Sequence, residues 1–262
     1  MISGLDHVAV AVRDFDAVAD GYRRLLGVEP ELEPGDGAVR AWFRFPNMAL
    51  EVIGPDGEGA AGDRVRAQLE ASGDGVWIVA FAVEDVDAAA RLAERRGLSV
   101  AVRTPRAALI DVAGVRVSLI ADGNARSGAA GAVAALDHVV IRTPDIDRAV
   151  ANYGGRLGLD LRLDRANEAW GARQLFFRCG DAVVEFGASL KHPPSDGPDS
   201  FGGLAWRVTD PDAAHAAMAA AGFDVSQVRT GRKPGTKVFT VRDAPAGVPT
   251  LMLSAEPAKE PA

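Results

Sequence analysis

Two glutamates stand on strand-like runs that have little use for a charge: Glu51 in Met48-Ala49-Leu50-Glu51-Val52-Ile53, and Glu185 in Ala182-Val183-Val184-Glu185-Phe186. A carboxylate buried among such neighbours is costly unless it is paired, protonated or ligated. Each is therefore a metal ligand, a general base whose pKa burial raises so that it can take a proton next to a carbonyl, or a scaffold group bonded to a nearby His or Arg. Glu51 and Glu185 are the candidate catalytic residues. His7 and His138 begin β-branched runs, where an imidazole serves either as a site residue or as a half-buried group bonded to backbone. Arg44 and Arg178 occupy matching places and suit a substrate carboxylate, or equally a solvated surface. Trp42, Phe43 and Phe45, with Phe176 and Phe177 in the counterpart segment, divide between core and pocket wall according to strand alternation. Trp42, Arg44, Phe176 and Arg178 are the candidate substrate-binding set. The basic tip Arg229 to Lys237 reads as a solvated turn or a phosphate contact, and Cys179 has no activating base beside it.

These residues come in pairs because the chain repeats. Leu5-Asp6-His7-Val8-Ala9-Val10 returns as Leu136-Asp137-His138-Val139-Val140-Ile141, displaced by half the length of the chain. Asp14, Asp16, Tyr22 and Leu26-Gly27 meet Asp145, Asp147, Tyr153 and Leu157-Gly158 at the same offset. A weaker repeat lies inside each half, since Val12-Arg13-Asp14-Phe15-Asp16 resembles Val83-Glu84-Asp85-Val86-Asp87, which in turn resembles Val208-Thr209-Asp210-Pro211-Asp212. Four modules of about 65 residues result. Each opens with an apolar run too short for a helix, continues with an Asp-x-Asp step that can cap a helix, and then carries three apolar stretches broken by turn residues. In the first module these are Val28 to Leu32, Ala38 to Phe45 and Met48 to Ile53, with Pro34 to Gly37 as a turn. Between modules, Asp63 to Ala71 has a short helical pattern, and Gly187 to Gly203 has the composition of a surface loop. The domain boundaries follow as 1–121, a linker over 122–134, 135–255, and a tail over 256–262.

Composition narrows the partners. With a net charge of −7, a pI near 5.2 and no long basic run, the chain carries no footprint for nucleic acid. No apolar run is long enough to span a membrane and no signal-peptide pattern opens the chain, which points to a cytoplasmic protein with no membrane partner. A single cysteine allows neither an intramolecular disulfide nor a cysteine-based zinc site.

The repeated Leu-Asp-His-Val opening, the Asp-x-Asp helix start and the strand spacing resemble the vicinal oxygen chelate superfamily, which includes glyoxalase I, methylmalonyl-CoA epimerase, extradiol dioxygenases and bleomycin-resistance proteins. The resemblance implies an α+β fold: four tandem βαβββ modules paired into two open-cup, glyoxalase-like domains. It implies metal ligands on the first and last strands of a module, which here gives His7 with Glu51 and His138 with Glu185. In the even-numbered modules the slots fall near Ile78 and Ser118, and near Gly203 and Met252, none of them a good ligand. A divalent ion (Zn, Ni, Co, Mn or Fe) would thus meet two ligands per cup, with His192 as a third if its loop folds back. Pairing of the first module with the third would instead unite all four. Dioxygenase chemistry is disfavoured, because only His138 of the expected iron set is present. The implied function is a metal-assisted lyase, isomerase or epimerase acting on a small oxygenated carbonyl compound. The alternative is a non-catalytic protein of the bleomycin-resistance type that sequesters a small molecule; under either reading the partner is a small molecule and the chain a monomer or homodimer.

Overall fold

The computed structural model describes residues 1–121, 131–232 and 234–254; most of the expected linker, and the tail, lie outside the described residues. The first half contains β1 (Ile2–Ala11), α1 (Phe15–Leu26), β2 (Glu31–Gly35), β3 (Ala38–Arg44), β4 (Ala49–Pro55), α2 (Ala60–Ser72), β5 (Gly75–Val83), α3 (Val86–Arg95), β6 (Val100–Arg103), β7 (Ala107–Val112) and β8 (Val115–Ala121). The second half repeats the plan without a counterpart of α2. It comprises β9 (Val133–Arg142), α4 (Ile146–Ala149, running on as a π-helical stretch Val150–Arg156), β10 (Asp160–Asn167), β11 (Ala172–Cys179), β12 (Ala182–Ser189), β13 (Ser200–Val208), α5 (Pro211–Ala220), β14 (Arg229–Thr230), β15 (Lys237–Val241) and β16 (Thr250–Ser254).

The Asp-x-Asp step works the same way in all four modules. Its first member, Asp14, Asp85, Asp145 or Asp210, is the N-cap and accepts backbone N–H groups of the first turn. Its second member, Asp16, Asp87, Asp147 or Asp212, sits in that turn, where a negative charge meets the positive end of the helix dipole. Gly27 then ends α1 in the left-handed region, with a φ of 68°, a conformation that costs glycine nothing.

Each half forms one eight-stranded mixed sheet, in the orders β2-β3-β4-β1-β5-β8-β7-β6 and β10-β11-β12-β9-β13-β16-β15-β14. Consecutive modules therefore pair, and His7–Glu51 and His138–Glu185 lie in different sheets, which rules out the first-with-third arrangement. Alternation divides each sheet into two faces. Val8, Val10, Leu50, Val52 and Phe43 point to the helix side and join one core that continues through Leu136, Val139, Phe177 and Trp206 of the second half. Across the seam Phe45 lies 5.0 Å from Trp206, and the Asn47 side chain donates to the Leu136 carbonyl at 2.7 Å while accepting its N–H at 3.3 Å. Module one thus packs on module four, with Tyr22 bonded to the Pro245 carbonyl; module two packs on module three, with Arg96 bonded to the Arg156 carbonyl.

The opposite face is the open one, and the two halves treat it differently. In the first sheet α2 lies on it: Ala61, Val65 and Leu69 pack with Ala11, Ala38, Ile53 and Trp77. The helix is longer than its Asp63–Ala71 pattern predicts because Asp36, far away in sequence, accepts the N–H groups of Ala60 and Ala61 at 2.9 Å each. Gly62 lets it close in, since a Cβ there would sit 1.9 Å from the Gly37 carbonyl oxygen. In the second sheet the same connection is an extended loop. Elsewhere β2 begins at Glu31 rather than Val28, because Val28 is drawn into the core beside the helix end. Pro34 and Gly35 remain in that edge strand, where a missing N–H is tolerated, and the turn is left to Asp36 and Gly37.

Candidate functional site

The parallel pairing of a module's first and last strands creates each His–Glu pair. His7 sits opposite Ala49 and Ala9 opposite Glu51, so His7 and Glu51 are diagonal neighbours on the open face. The second half repeats this, with His138 opposite Val183 and Val140 opposite Glu185.

In the first cup the pair is enclosed. Glu51 is 7% exposed and His7 9%. The Asp6 carboxylate takes His7 Nδ1–H at 2.6 Å, Arg40 Nε reaches Glu51 Oε1 at 3.1 Å, and His7 Nε2 lies 3.6 Å from Glu51 Oε2. Burial pushes the Glu51 carboxyl above the usual carboxylate range, with His7 and Arg40 opposing and Glu33 adding to the rise. The Trp42 ring stands perpendicular to His7 at 5.2 Å and donates its indole N–H to Glu33 at 3.0 Å. Arg44 lies over Trp42 and pairs with Glu31 at 2.9 Å. Every charge of this constellation has a partner, and α2 fills the space beyond it.

The second cup holds the same pair with a different neighbour. The Asp137 carboxylate takes His138 Nδ1–H at 2.8 Å, and His138 Nε2 faces Glu185 Oε2 at 3.3 Å. Where the first cup has Arg40, this one has neutral Gln174, whose amide donates to Glu185 Oε1 and accepts from Arg232 Nη1 at 2.6 Å. Asp137 is held from behind by Arg207 at 3.4 Å. The surrounding open-face residues, Val140, Phe176, Val183, Leu251 and Leu253, are half-buried, which leaves an accessible apolar wall. Phe176 stands directly opposite Glu185 on the adjacent strand. Arg178 is exposed two residues further along, bonded to the Gly180 carbonyl.

Several sequence expectations change here. His192 is exposed on its loop and lines a cleft with Arg142 and Ser189. Among the described residues no three His, Cys, Asp or Glu side chains form a group able to hold a metal, so His192 does not complete the pair. Met252 is fully buried in the core, and the open-face positions on that strand belong to Leu251 and Leu253. Phe43, Phe45 and Phe177 are core, whereas Trp42 and Phe176 face the cups. The sequence reading missed Asp6, Asp137, Arg40 and Gln174. The two aspartates stood inside the repeated motif, and Arg40 and Gln174 are two residues from Trp42 and Phe176, a spacing that shares a strand face.

The model of the glyoxalase/bleomycin resistance protein/dioxygenase superfamily matches residues 6–117 and again 137–240. The chain belongs to that superfamily. Over 93 residues, 34% of this chain and 67% of the relative, it is 38% identical to an ethylmalonyl-CoA/methylmalonyl-CoA epimerase of Cereibacter sphaeroides. Among solved structures, a mutant 4-hydroxymandelate synthase of Streptomyces coelicolor aligns over 100% of this chain and 95% of its own with a TM-score of 0.77 at 15% identity. The Mn(II)-bound glyoxalase of Novosphingobium aromaticivorans aligns over 97% and 82% with a TM-score of 0.69 at 18% identity. At such identities these two likenesses establish the superfamily's two-sheet, four-module fold and nothing finer. No helix among the described residues is long and apolar enough to cross a membrane.

Proposed function

We propose that the second cup binds a small oxygenated carbonyl compound and that Glu185 and His138 move a proton at the carbon next to its carbonyl, the chemistry of an isomerase, epimerase or lyase. The observation that carries this reading is the Asp137–His138–Glu185 chain. Asp137 takes the Nδ1 proton, so Nε2 and Glu185 Oε2, 3.3 Å apart, present two lone pairs to each other unless one proton lies between them. With that proton on His138, the imidazolium N–H polarises the carbonyl oxygen and the Glu185 carboxylate takes the proton from carbon. The C–H electron pair moves into the enolate. Return of the proton to either face of the same carbon completes an epimerisation; in a 2-hydroxy carbonyl compound its delivery to the former carbonyl carbon, with the hydroxyl proton passing to the other oxygen, completes an isomerisation; and expulsion of a group from the β-carbon by the enolate electron pair completes a lyase step. Gln174 keeps Glu185 oriented without the fixed positive charge that Arg40 brings to Glu51.

Metal assistance, which the superfamily implies, does not fit the donor set. Among the described residues each cup supplies one imidazole and one facing carboxylate, and a tightly held catalytic ion takes at least three protein ligands. The proton step is therefore assigned to side chains alone. A second reading, sequestration of an apolar molecule without chemistry, is favoured by the half-buried wall of Val140, Phe176, Val183, Leu251 and Leu253.

Exchange of substrate C–H for deuterium in D2O, followed by proton NMR over a panel of 2-oxo and 2-hydroxy acids and acyl thioesters, separates the readings. Wild-type protein and Glu51→Gln wash out the signal of a reactive compound, with or without a chelator, and Glu185→Gln does not. Loss of exchange on metal removal, or its retention in Glu185→Gln, refutes the assignment.

A further inference from the structure

The rim of the second cup carries a group of cations that the proton chemistry does not use. One row along the open face from Glu185, a step of about 7 Å, the strands present Arg142 on β9, Gly187 on β12 and Gln174 on β11. Over this row lie the two turns at the opposite edges of the sheet. Arg232, from the turn between β14 and β15, stacks on the Trp170 ring at 4.5 Å and bonds Gln174. Arg165, on β10, lies over the same ring at 5.9 Å. The far edges of the sheet thus meet at Trp170, which is 50% exposed. The loop after β12 adds Lys191 and His192, and on the Arg142 side of the row Arg142, Gly187, Ser189, His192 and Ser195 line a cavity of about 470 Å³ whose wall does not include Arg165, Trp170 or Arg232.

The charge balance here differs from that beside His7 and Glu51, in a chain of net charge −7. Among the described residues Arg142, Arg165, Lys191 and Arg232 form no ion pair with a carboxylate, whereas Arg40, Arg44 and Arg13 around the first cup are all paired. Of the nearby acids, Asp164 and Asp147 are taken by Arg173 and Glu185 faces His138, while Asp196 on the loop after β12 is exposed beside Ser195. Glu168 is the one carboxylate in the two turns. Arg165 and Arg232 share one ring, Lys191 lies over the adjoining Gly171, and Arg142 stands on the row beside them; like charges so placed repel one another, and an anion between them relieves the repulsion. The first half shows how the same space is closed when no ligand needs it. The positions of Arg142 and Gly187 correspond there to Ala11 and Ile53, which α2 covers with Val65 and Leu69. Gly202 leaves room for both Val140 and Arg142, since a Cβ there would meet Val140 Cγ1 at 2.8 Å and Arg142 Cγ at 3.3 Å.

We infer that Arg142, Arg165, Lys191 and Arg232 form an anion subsite that holds a phosphate or carboxylate group of the ligand whose carbonyl end reaches Glu185. Trp170 serves as the platform that keeps Arg165 and Arg232 in place. The inference rests on and deepens the reading of the second cup and names its ligand class: a carbonyl compound with an anionic tail about one strand row from the reacting carbon.

Isothermal titration at low ionic strength with inorganic phosphate, pyrophosphate and succinate tests it and separates phosphoryl from carboxyl recognition. Wild-type protein binds one or more of these saturably. Arg142→Gln and Arg232→Gln each weaken binding at least fivefold and their combination at least thirtyfold, while Arg91→Gln, whose side chain pairs with Asp87 on α3, changes it less than twofold. Near-UV circular dichroism checks that each variant is folded, and Arg142→Lys, which keeps the charge, retains binding if the full truncation does not fold. Absence of saturable binding by wild-type protein, or equal affinity in the double variant, overturns the subsite. Failure of deuterium exchange with anion binding intact would remove only the proton chemistry, so the two readings fail separately.

Discussion

Truncation of Leu69 to alanine tests whether the first cup is closed by packing. Leu69 is 4% exposed and, with Ala61 and Val65, forms the whole apolar underside of α2 against Ala11, Ala38, Ile53 and Trp77. A buried Leu→Ala change costs about 2–5 kcal/mol from lost transfer energy and residual cavity. This cluster is small and lies under a surface helix that can settle inward, so the lower part of the range applies, about 2–3 kcal/mol. The Leu69 carbonyl also accepts from Arg13 and from Gly73 N–H, contacts that persist in the variant and keep α2 in place. Urea denaturation at pH 7 followed by circular dichroism measures the loss, and amide exchange reports whether it concentrates in α2. A loss below about 1 kcal/mol, or unchanged exchange across residues 60–72, would refute the view that α2 plugs the first cup.

The capping pattern predicts an asymmetry within each Asp-x-Asp step: Asp14→Ala should cost about 1 kcal/mol and Asp16→Ala only about 0.3 kcal/mol in thermal or urea melts. The two tyrosines of the chain, Tyr22 and Tyr153, are both fully buried, and burial pushes both phenols above their ordinary value of 10. Above that value the unfolded chain loses protons that the folded one retains, so stability falls with a slope that approaches about 2.7 kcal/mol per pH unit as both unfolded-state phenols ionise, and tyrosinate absorbance should rise only as the protein unfolds. Asp137→Asn leaves a group beside His138 that no longer demands its Nδ1 proton, and deuterium exchange into a reactive substrate should fall at least a hundredfold with the melting temperature little changed.

Much of the fold was legible because it repeats. The Leu-Asp-His-Val runs mark the first and third modules and the Asp-x-Asp steps mark all four, and the resemblance to the superfamily paired each Glu with its His. Element ends were less legible for reasons of tertiary origin. The start of α2 depends on Asp36, in the turn between β2 and β3, and the start of β2 depends on where Val28 finds its pocket. The site was half legible. Charged residues on apolar strands stand out in a sequence, whereas Gln174 is an ordinary polar residue until the structure shows it between Glu185 and Arg232. Trp170 and Arg232 are distant in sequence and come together only because the sheet's two edges approach each other.

The central claim, that the second cup and not the first receives the ligand, can be read from the four indole N–H signals of a nitrogen-15 spectrum. Trp42 reports the first cup, Trp170 the mouth of the second, Trp77 the cluster under α2 and Trp206 the core between the halves. With each signal assigned by a Trp→Phe substitution, titration with phosphorylated and carboxylated oxo compounds should move Trp170 saturably and leave Trp42, Trp77 and Trp206 in place. Movement of Trp42 with Trp170 unaffected would contradict the account and return the site to the first cup.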